Sequence, residues 1–449
     1  MNHTRARSRI NVTSDGEGIV SHAGALLLAE LADRIGLTAD LSRAMAPTRR
    51  RRSAHDPGKV LVDIAVALAD GADCLADLAV LRANADVFGP VASDPTAWRV
   101  VSSIGTVELD AVNAARARTR ARAWGAGVRR GWIVLDLDAT LVTSHSEKQD
   151  AAPTYKHGFG FHPVMCYLDG TGEALAGMLR AGNAGSNTAA DHLAVVDQAL
   201  AQLPVATRAD DPHAGEWMLL RADSASATHA FVDGLRHRGI EFSIGFPLTE
   251  DVRQAVLSLP ERAWTGSMDQ TCGLREGAEC AEVTHLLDLG SWPEGTRAIC
   301  RREDPHPGAQ LTFTDQDGHR FQVFITDSAD PDLAYLEARH RGHARVEDRI
   351  RCAKDTGMAN LPFHDFAANQ AWLTLVLMAQ DLLAWAQRLC LDGQLAKAEP
   401  KRLRYALWHV AGRLVTTGRR RILRLAKGWP WADELVQAFR RLQALAVPT

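Results

Sequence analysis

Three acidic residues stand where divalent cations could be held. Asp138 closes a short apolar run at 132–137, with Asp136 two residues before it. Asp223 directly follows a second run, Leu219-Leu220-Arg221-Ala222, and Glu347 falls within a long helical pattern. Side chains alternate along a strand, so Asp136 and Asp138 share a face. Cutting or transferring a phosphodiester calls for two divalent ions about 3.5–4 Å apart. Magnesium wants rigidly held carboxylate oxygens and keeps open positions for phosphate. Two strand ends and one helix meeting at one end of a sheet would supply them, one acid bridging both ions and the others holding one each. Taken singly, an Asp at a strand end is a turn or cap residue, and a Glu on a long helix faces water. The joint placement of the three carries the expectation.

Those acids need a particular set of elements. Residues 20–123 read as mainly helical, with apolar residues at steps of three and four over 25–35 and 60–81. The pattern changes at Gly131. Strands are expected at 132–137, 162–168, 173–180, 217–222 and 240–245, the second and third joined by the turn Asp169-Gly170-Thr171-Gly172. Helices are expected after a cap at Ser186 or Asn187 and over 225–238. The order β, β-hairpin, α, β, α, β predicts an α/β fold, a mixed five-stranded sheet with flanking helices. That is also the order of a ribonuclease H-like core.

A β-rich insertion should follow, with strands at 297–301, 310–314 and 321–326. Asp330-Pro331 then opens a long helix reaching Lys354. The expected division is a helical DNA-binding region at 1–128, the first part of the core at 129–246, the insertion at 247–327, the second part at 328–395, and a basic helical region at 396–449.

Composition narrows the class. Of 449 residues, 46% are hydrophobic and 23% charged, the profile of a soluble globular protein. Seven cysteines without a CxxC pair argue against a zinc site or a disulfide framework. No run of about 18 apolar residues occurs and the first residues lack an apolar core, so a cytoplasmic protein with no membrane partner is expected. Net charge is only −3, yet 397–449 holds 12 Lys or Arg against 3 acids, leaving −12 elsewhere. Arg49, Arg50, Arg51 and Arg52 form a second basic cluster, and Arg116, Arg118, Arg120 and Arg122 a third. With Arg419, Arg420 and Arg421 in the tail, these are the expected phosphate contacts.

The runs Val134-Leu135-Asp136-Leu137-Asp138-Ala139-Thr140 and Arg221-Ala222-Asp223-Ser224-Ala225, with the helical segment 339–354, resemble the DDE transposases of bacterial insertion sequences. The group most resembled is insertion-sequence family thirteen-eighty. Asn360-Leu361-Pro362-Phe363, Asn369-Gln370-Ala371-Trp372 and Gly428-Trp429-Pro430-Trp431 extend the likeness over nearly the whole chain. The resemblance implies catalytic, metal-binding Asp138, Asp223 and Glu347, two Mg²⁺ or Mn²⁺ ions, double-stranded DNA as substrate (terminal inverted repeats and target), and a dimer in a synaptic complex. It also selects Asp138 over Asp136, because the first acid precedes a small residue and Thr, and leaves Asp136 in support. The family's helix carries Tyr, Arg, Glu and Lys at fixed spacing; here those slots hold His340, His343, Glu347 and Lys354. At about 100° per residue, these four and Arg351 fall within about 80° of arc, while Glu337 and Asp348 lie off it. Arg351 and Lys354 are therefore expected to hold phosphate.

Two rivals use the same residues. Asp136-Leu137-Asp138-Ala139-Thr140 also fits the nucleophile motif of haloacid dehalogenase-like phosphatases. That chemistry needs a second acidic pair after a later strand, and the one Asp-Asp pair, Asp210-Asp211, lies in a polar loop. A DNA-binding protein without catalysis would keep the arginines and have no need of the acids.

Overall fold

A computed structural model describes residues 10–49, 54–128, 131–207, 210, 215–305, 315–316, 318–418 and 420–446. The strand expected at 310–314, and Arg50, Arg51, Arg52 and Arg419, lie outside them.

The five expected strands form and lie side by side. They are β1 (Ile133–Ala139), β2 (Val164–Leu168), β3 (Ala174–Met178), β4 (Met218–Ala222) and β5 (Glu241–Phe246). Their order in the sheet is β3-β2-β1-β4-β5. β1 runs antiparallel to β2, with Asp138 opposite Met165, and parallel to β4, with Leu137 opposite Ala222. β4 runs parallel to β5. Parallel strands covered on both faces need apolar side chains throughout. Accordingly Ile133, Leu135, Leu137, Leu219, Leu220 and Ile244 are all buried.

The insertion is not a layer of its own. Its strands β6 (Thr265–Met268), β7 (Leu274–Glu282), β8 (Arg297–Glu303) and β9 (His319–Thr326) continue the core sheet. β9 pairs antiparallel with β5, Ile325 opposite Ile244.

Helices cover both faces. α1 (Thr106–Gly125), α2 (Ala189–Gln202), α3 (His229–His237) and the long α6 (Phe366–Leu389) surround the strands. Val195, Val196, Phe231 and Leu235 of α2 and α3 share one core with Leu135 and Leu137. Trp372, Leu373 and Leu377 of α6 share the other with Met165 and Tyr167.

The long helix expected to reach Lys354 is two helices, α4 (Leu333–Arg341) and α5 (Arg345–Ala353), joined by a 3₁₀ turn at Gly342–Ala344. Its cap is Asp332, which accepts from the Tyr335 N–H, rather than Asp330. A Cβ at Gly342 would overlap the Arg221 guanidinium, which explains the residue at the bend.

The C-terminal region also corrects the expectation of helix alone. β10 (Gly412–Thr417) and β11 (Arg420–Leu425) form a hairpin about Gly418, which has φ 58°, before α7 (Ala432–Ala444). The β-branched Val415, Thr416, Thr417 and Ile422 around a glycine in left-handed conformation are hairpin chemistry. The strand Ile19–Val20 pairs with β10, with Ile19 opposite Arg413.

Among the described residues, no helix is long and apolar enough to cross a membrane. Asp381, which interrupts the apolar run of α6, has a partner in α1. Its carboxylate accepts from Arg116 at 2.9 Å and Arg120 at 2.7 Å, and Arg120 also pairs with Glu173 at 3.0 Å.

Candidate carboxylate site

Because β1 and β4 are parallel neighbours, Asp138 and Asp223 leave the sheet at the same end. Asp223 opens the 3₁₀ turn Ser224–Ser226 and accepts from the Ala225 N–H at 3.1 Å. Asp138 is half-buried and accepts from the Ala139 N–H at 2.7 Å. Glu347 lies in the first turn of α5, and both it and Asp223 are exposed. The three charges are felt together at Asp138. Burial raises its pKa to about 6, His343 opposes the rise, and the negative charges of Asp223 and Glu347 add to it.

Asp136 has a different occupation. It is 1% exposed. Arg221 donates to it twice, Nε at 2.8 Å and Nη2 at 2.7 Å, and His343 Nδ1 lies 3.0 Å away. Arg221 also reaches Asp169 at 3.0 Å and the Arg339 carbonyl at 2.7 Å. Arg345 holds Asp169 through two bonds of 2.7 and 2.6 Å. This chain of ions ties β1, β4, the β2–β3 turn, α4 and α5 to one another. The sequence reading missed Arg221, Asp169 and Arg345 as positioning residues. An arginine inside an apolar strand run, next to a strand carrying a second Asp, was the available signal.

The helix residues divide. His343 bridges Asp136 and the field of Asp138. Lys354 is half-buried; burial lowers its pKa first and Lys156 lowers it further, while the charge of Asp138 raises it. These two join the acids. Arg351 and His340 do not, and both correct the expectation. Arg351 is exposed and committed to Glu399, at 3.0 and 2.8 Å, and to Asp348 at 3.0 Å. His340 stacks on Phe324, centroids 4.3 Å apart and planes 6° apart, with Nδ1 3.0 Å from Ser243 Oγ. Of the competing acids, Glu337 is buried against Arg301 at 3.0 Å.

Burial holds the His340 pKa well below 6.5. The unfolded chain takes up that proton near pH 6.5, the folded chain only far below it. Stability therefore falls as pH drops below about 6.5, by up to about 1.4 kcal/mol per pH unit. His340→Phe keeps the ring stack and removes the titration. Unfolding midpoints followed against pH should show the wild type losing ground to this variant on acidification; parallel curves would refute the assignment.

The arginine clusters also divide. Arg116 and Arg120 are fully buried in the pairs with Asp381 and Glu173, which corrects their expected place on a DNA surface. Arg122 donates to the Ile35 carbonyl at 2.7 Å and to Asp40, and Arg118 lies 3.6 Å from Asp40. Arg49 lies 4.0 Å from Asp56. Arg420 and Arg421 stand exposed on β11, with Arg413 and Arg424 directly opposite one another in the same hairpin. Arg421 reaches the Asp86 carbonyl. Like charges paired across strands repel, and the hairpin concentrates positive charge on its exposed surface.

An all-oxygen donor set at one end of a sheet, with one carboxyl raised partly by its neighbours, suits a hard divalent cation such as Mg²⁺ or Mn²⁺. The charge of Asp138 also reaches Lys354, so a lysine stands within the field of these acids. The chain belongs to the DDE transposase family, since the family described as transposase DDE domain group 1 matches residues 2–447. No curated protein matches it. Among solved structures it is similar to a piggyBac transposase synaptic complex with hairpin DNA, at 9% identity over 86% of this chain and 80% of that one, with a TM-score of 0.43.

Proposed function

We propose that this chain is a DNA transposase of the bacterial insertion-sequence type with a ribonuclease H-like core, and that Asp138, Asp223 and Glu347 are its metal-binding catalytic residues. The supporting observation is the electrostatic coupling of those three acids at the end of β1 and β4. Two Mg²⁺ or Mn²⁺ ions would activate the attacking oxygen and stabilise the in-line transition state. The protein's own part is to keep the ligands in register. Arg221 clamps β1 to β4 and to α4. His343 fixes the start of α5 against Asp136, and Lys354 offers an ammonium to the phosphate. Hydrolysis at the ends of a mobile element would free a 3′-hydroxyl for attack on target DNA. The exposed arginines of β10 and β11 suit the DNA backbone beyond the site. A dimer on paired ends completes the reading.

The test is incubation of the protein with duplexes carrying the terminal repeats that flank its gene. Cleavage at the repeat ends in Mg²⁺ or Mn²⁺, abolished by chelator, is expected. Binding should weaken steeply with salt, because each phosphate contact releases counterions. No cleavage with either metal would overturn the proposal.

A further inference from the structure

A short hairpin hangs beside the carboxylate end of the sheet. The strands Ala152–Pro153 and Phe159–Phe161 pair, and the second also pairs with Val142–Thr143, which follows β1 directly. Residues 154–158 close the hairpin in a tight turn. The Thr154 N–H donates to the Gly158 carbonyl at 2.8 Å, and the Gly158 N–H donates to Thr154 Oγ1 at 3.1 Å. At the tip, Tyr155 is 64% exposed. Its ring leans on His162, centroids 5.8 Å apart, and Lys156 Nζ lies 5.7 Å from the Tyr155 centroid.

His162 is a firm base for that ring. It is buried, its Nδ1 lies 3.2 Å from the Ala184 carbonyl, and its own carbonyl accepts from Arg180 at 3.0 Å. It also sits at the Asp138 end of β1, since the next residue, Pro163, accepts from the Thr140 N–H at 3.0 Å. The charge of Asp223 reaches His162, and the charge of Lys156 reaches Lys354 beside Asp138. An aromatic face and an ammonium thus stand in the open, on a braced turn, at the rim of the acids. Neither is used by the chemistry described above.

We infer that Tyr155 and Lys156 hold the nucleotide next to the phosphate being cut, with the Tyr155 ring stacked on its base and the Lys156 ammonium paired with its phosphate. Base stacking on an aromatic side chain tolerates any sequence, while a lysine contact adds one released counterion. The inference rests on the transposase reading for the identity of its ligand, and the hairpin's contact with DNA can be measured apart from cleavage.

The probe is a terminal-repeat duplex from the DNA flanking the gene, with 2-aminopurine at the nucleotide beside the repeat end. Binding is read in Ca²⁺, and cleavage separately in Mg²⁺. Wild-type protein should change the 2-aminopurine fluorescence on binding. Tyr155→Ala should abolish that change and weaken binding roughly tenfold, whereas Tyr155→Trp should keep both. Lys156→Ala should lower the slope of log affinity against log salt by about one. Wild-type fluorescence and affinity in Tyr155→Ala would overturn the inference. Absence of cleavage by the wild type in Mg²⁺ would instead count against the transposase reading and leave the fluorescence comparison intact.

Discussion

Asp138→Asn should lower DNA cleavage by about a thousandfold or more while DNA affinity stays near that of the wild type. An amide keeps the shape but loses the charge that holds a divalent cation, and the metal's stabilisation of the transition state is worth several kcal/mol, at about 1.4 kcal/mol per tenfold in rate. Asp223→Asn and Glu347→Ala should behave alike. Asp348→Ala is the control on the same helix, because Asp348 faces Arg351 on the exposed surface; it should cut normally. Glu337→Ala should fail differently, losing stability because Arg301 is left without its buried partner. A Glu347→Ala protein that still cuts, or normal cleavage by Asp138→Asn, would end the assignment.

The second large effect concerns the ions behind the acids. Arg221 is 2% exposed and supplies both strong bonds to Asp136. Arg221→Met should destabilise the protein by about 3–5 kcal/mol, because a buried carboxylate is left with His343 alone. Asp136→Leu combined with Arg221→Met should recover most of that loss, since no buried charge then lacks a partner. Chemical denaturation of the three proteins measures both statements. A single variant within about 1 kcal/mol of the wild type would show that the pair is not needed for stability.

Much of this was legible in local sequence. The five core strands announce themselves as short apolar runs between turn residues, and the placing of Asp138 and Asp223 at strand ends follows from those runs alone. Other features depend on partners far along the chain. Arg116 and Arg120 look like part of a basic surface because Asp381, their counter-ion, lies 265 and 261 residues away. Residues 116 and 120 share one helical face while 118 points nearly opposite, so a count of charges mixes buried and exposed groups. The continuation of the sheet into the insertion is likewise non-local, since nothing within β9 specifies that it pairs with β5. Helical spacing set Glu347 apart from Glu337, and in the fold Glu337 is buried against Arg301 while Glu347 is exposed. Spacing could not see that Glu399, from another segment, would take Arg351.

The wide sheet raises one more matter, its behaviour towards other copies of itself. A sheet with open edges can recruit strands from neighbouring chains and aggregate. Here one edge is β6, four residues long and broken by a register shift between Gly266 and Met268. Along the other edge, β3 and the residue after it, several outward backbone groups are occupied by side chains. Asp381 accepts from the Ala174 N–H at 3.0 Å, and Arg116 donates to the Ala174 carbonyl at 2.6 Å. Gln370 accepts from the Leu179 N–H at 2.7 Å and donates to the Gly177 carbonyl at 3.1 Å. The buried ions of α1 and α6 therefore also occupy backbone groups that an added strand would need.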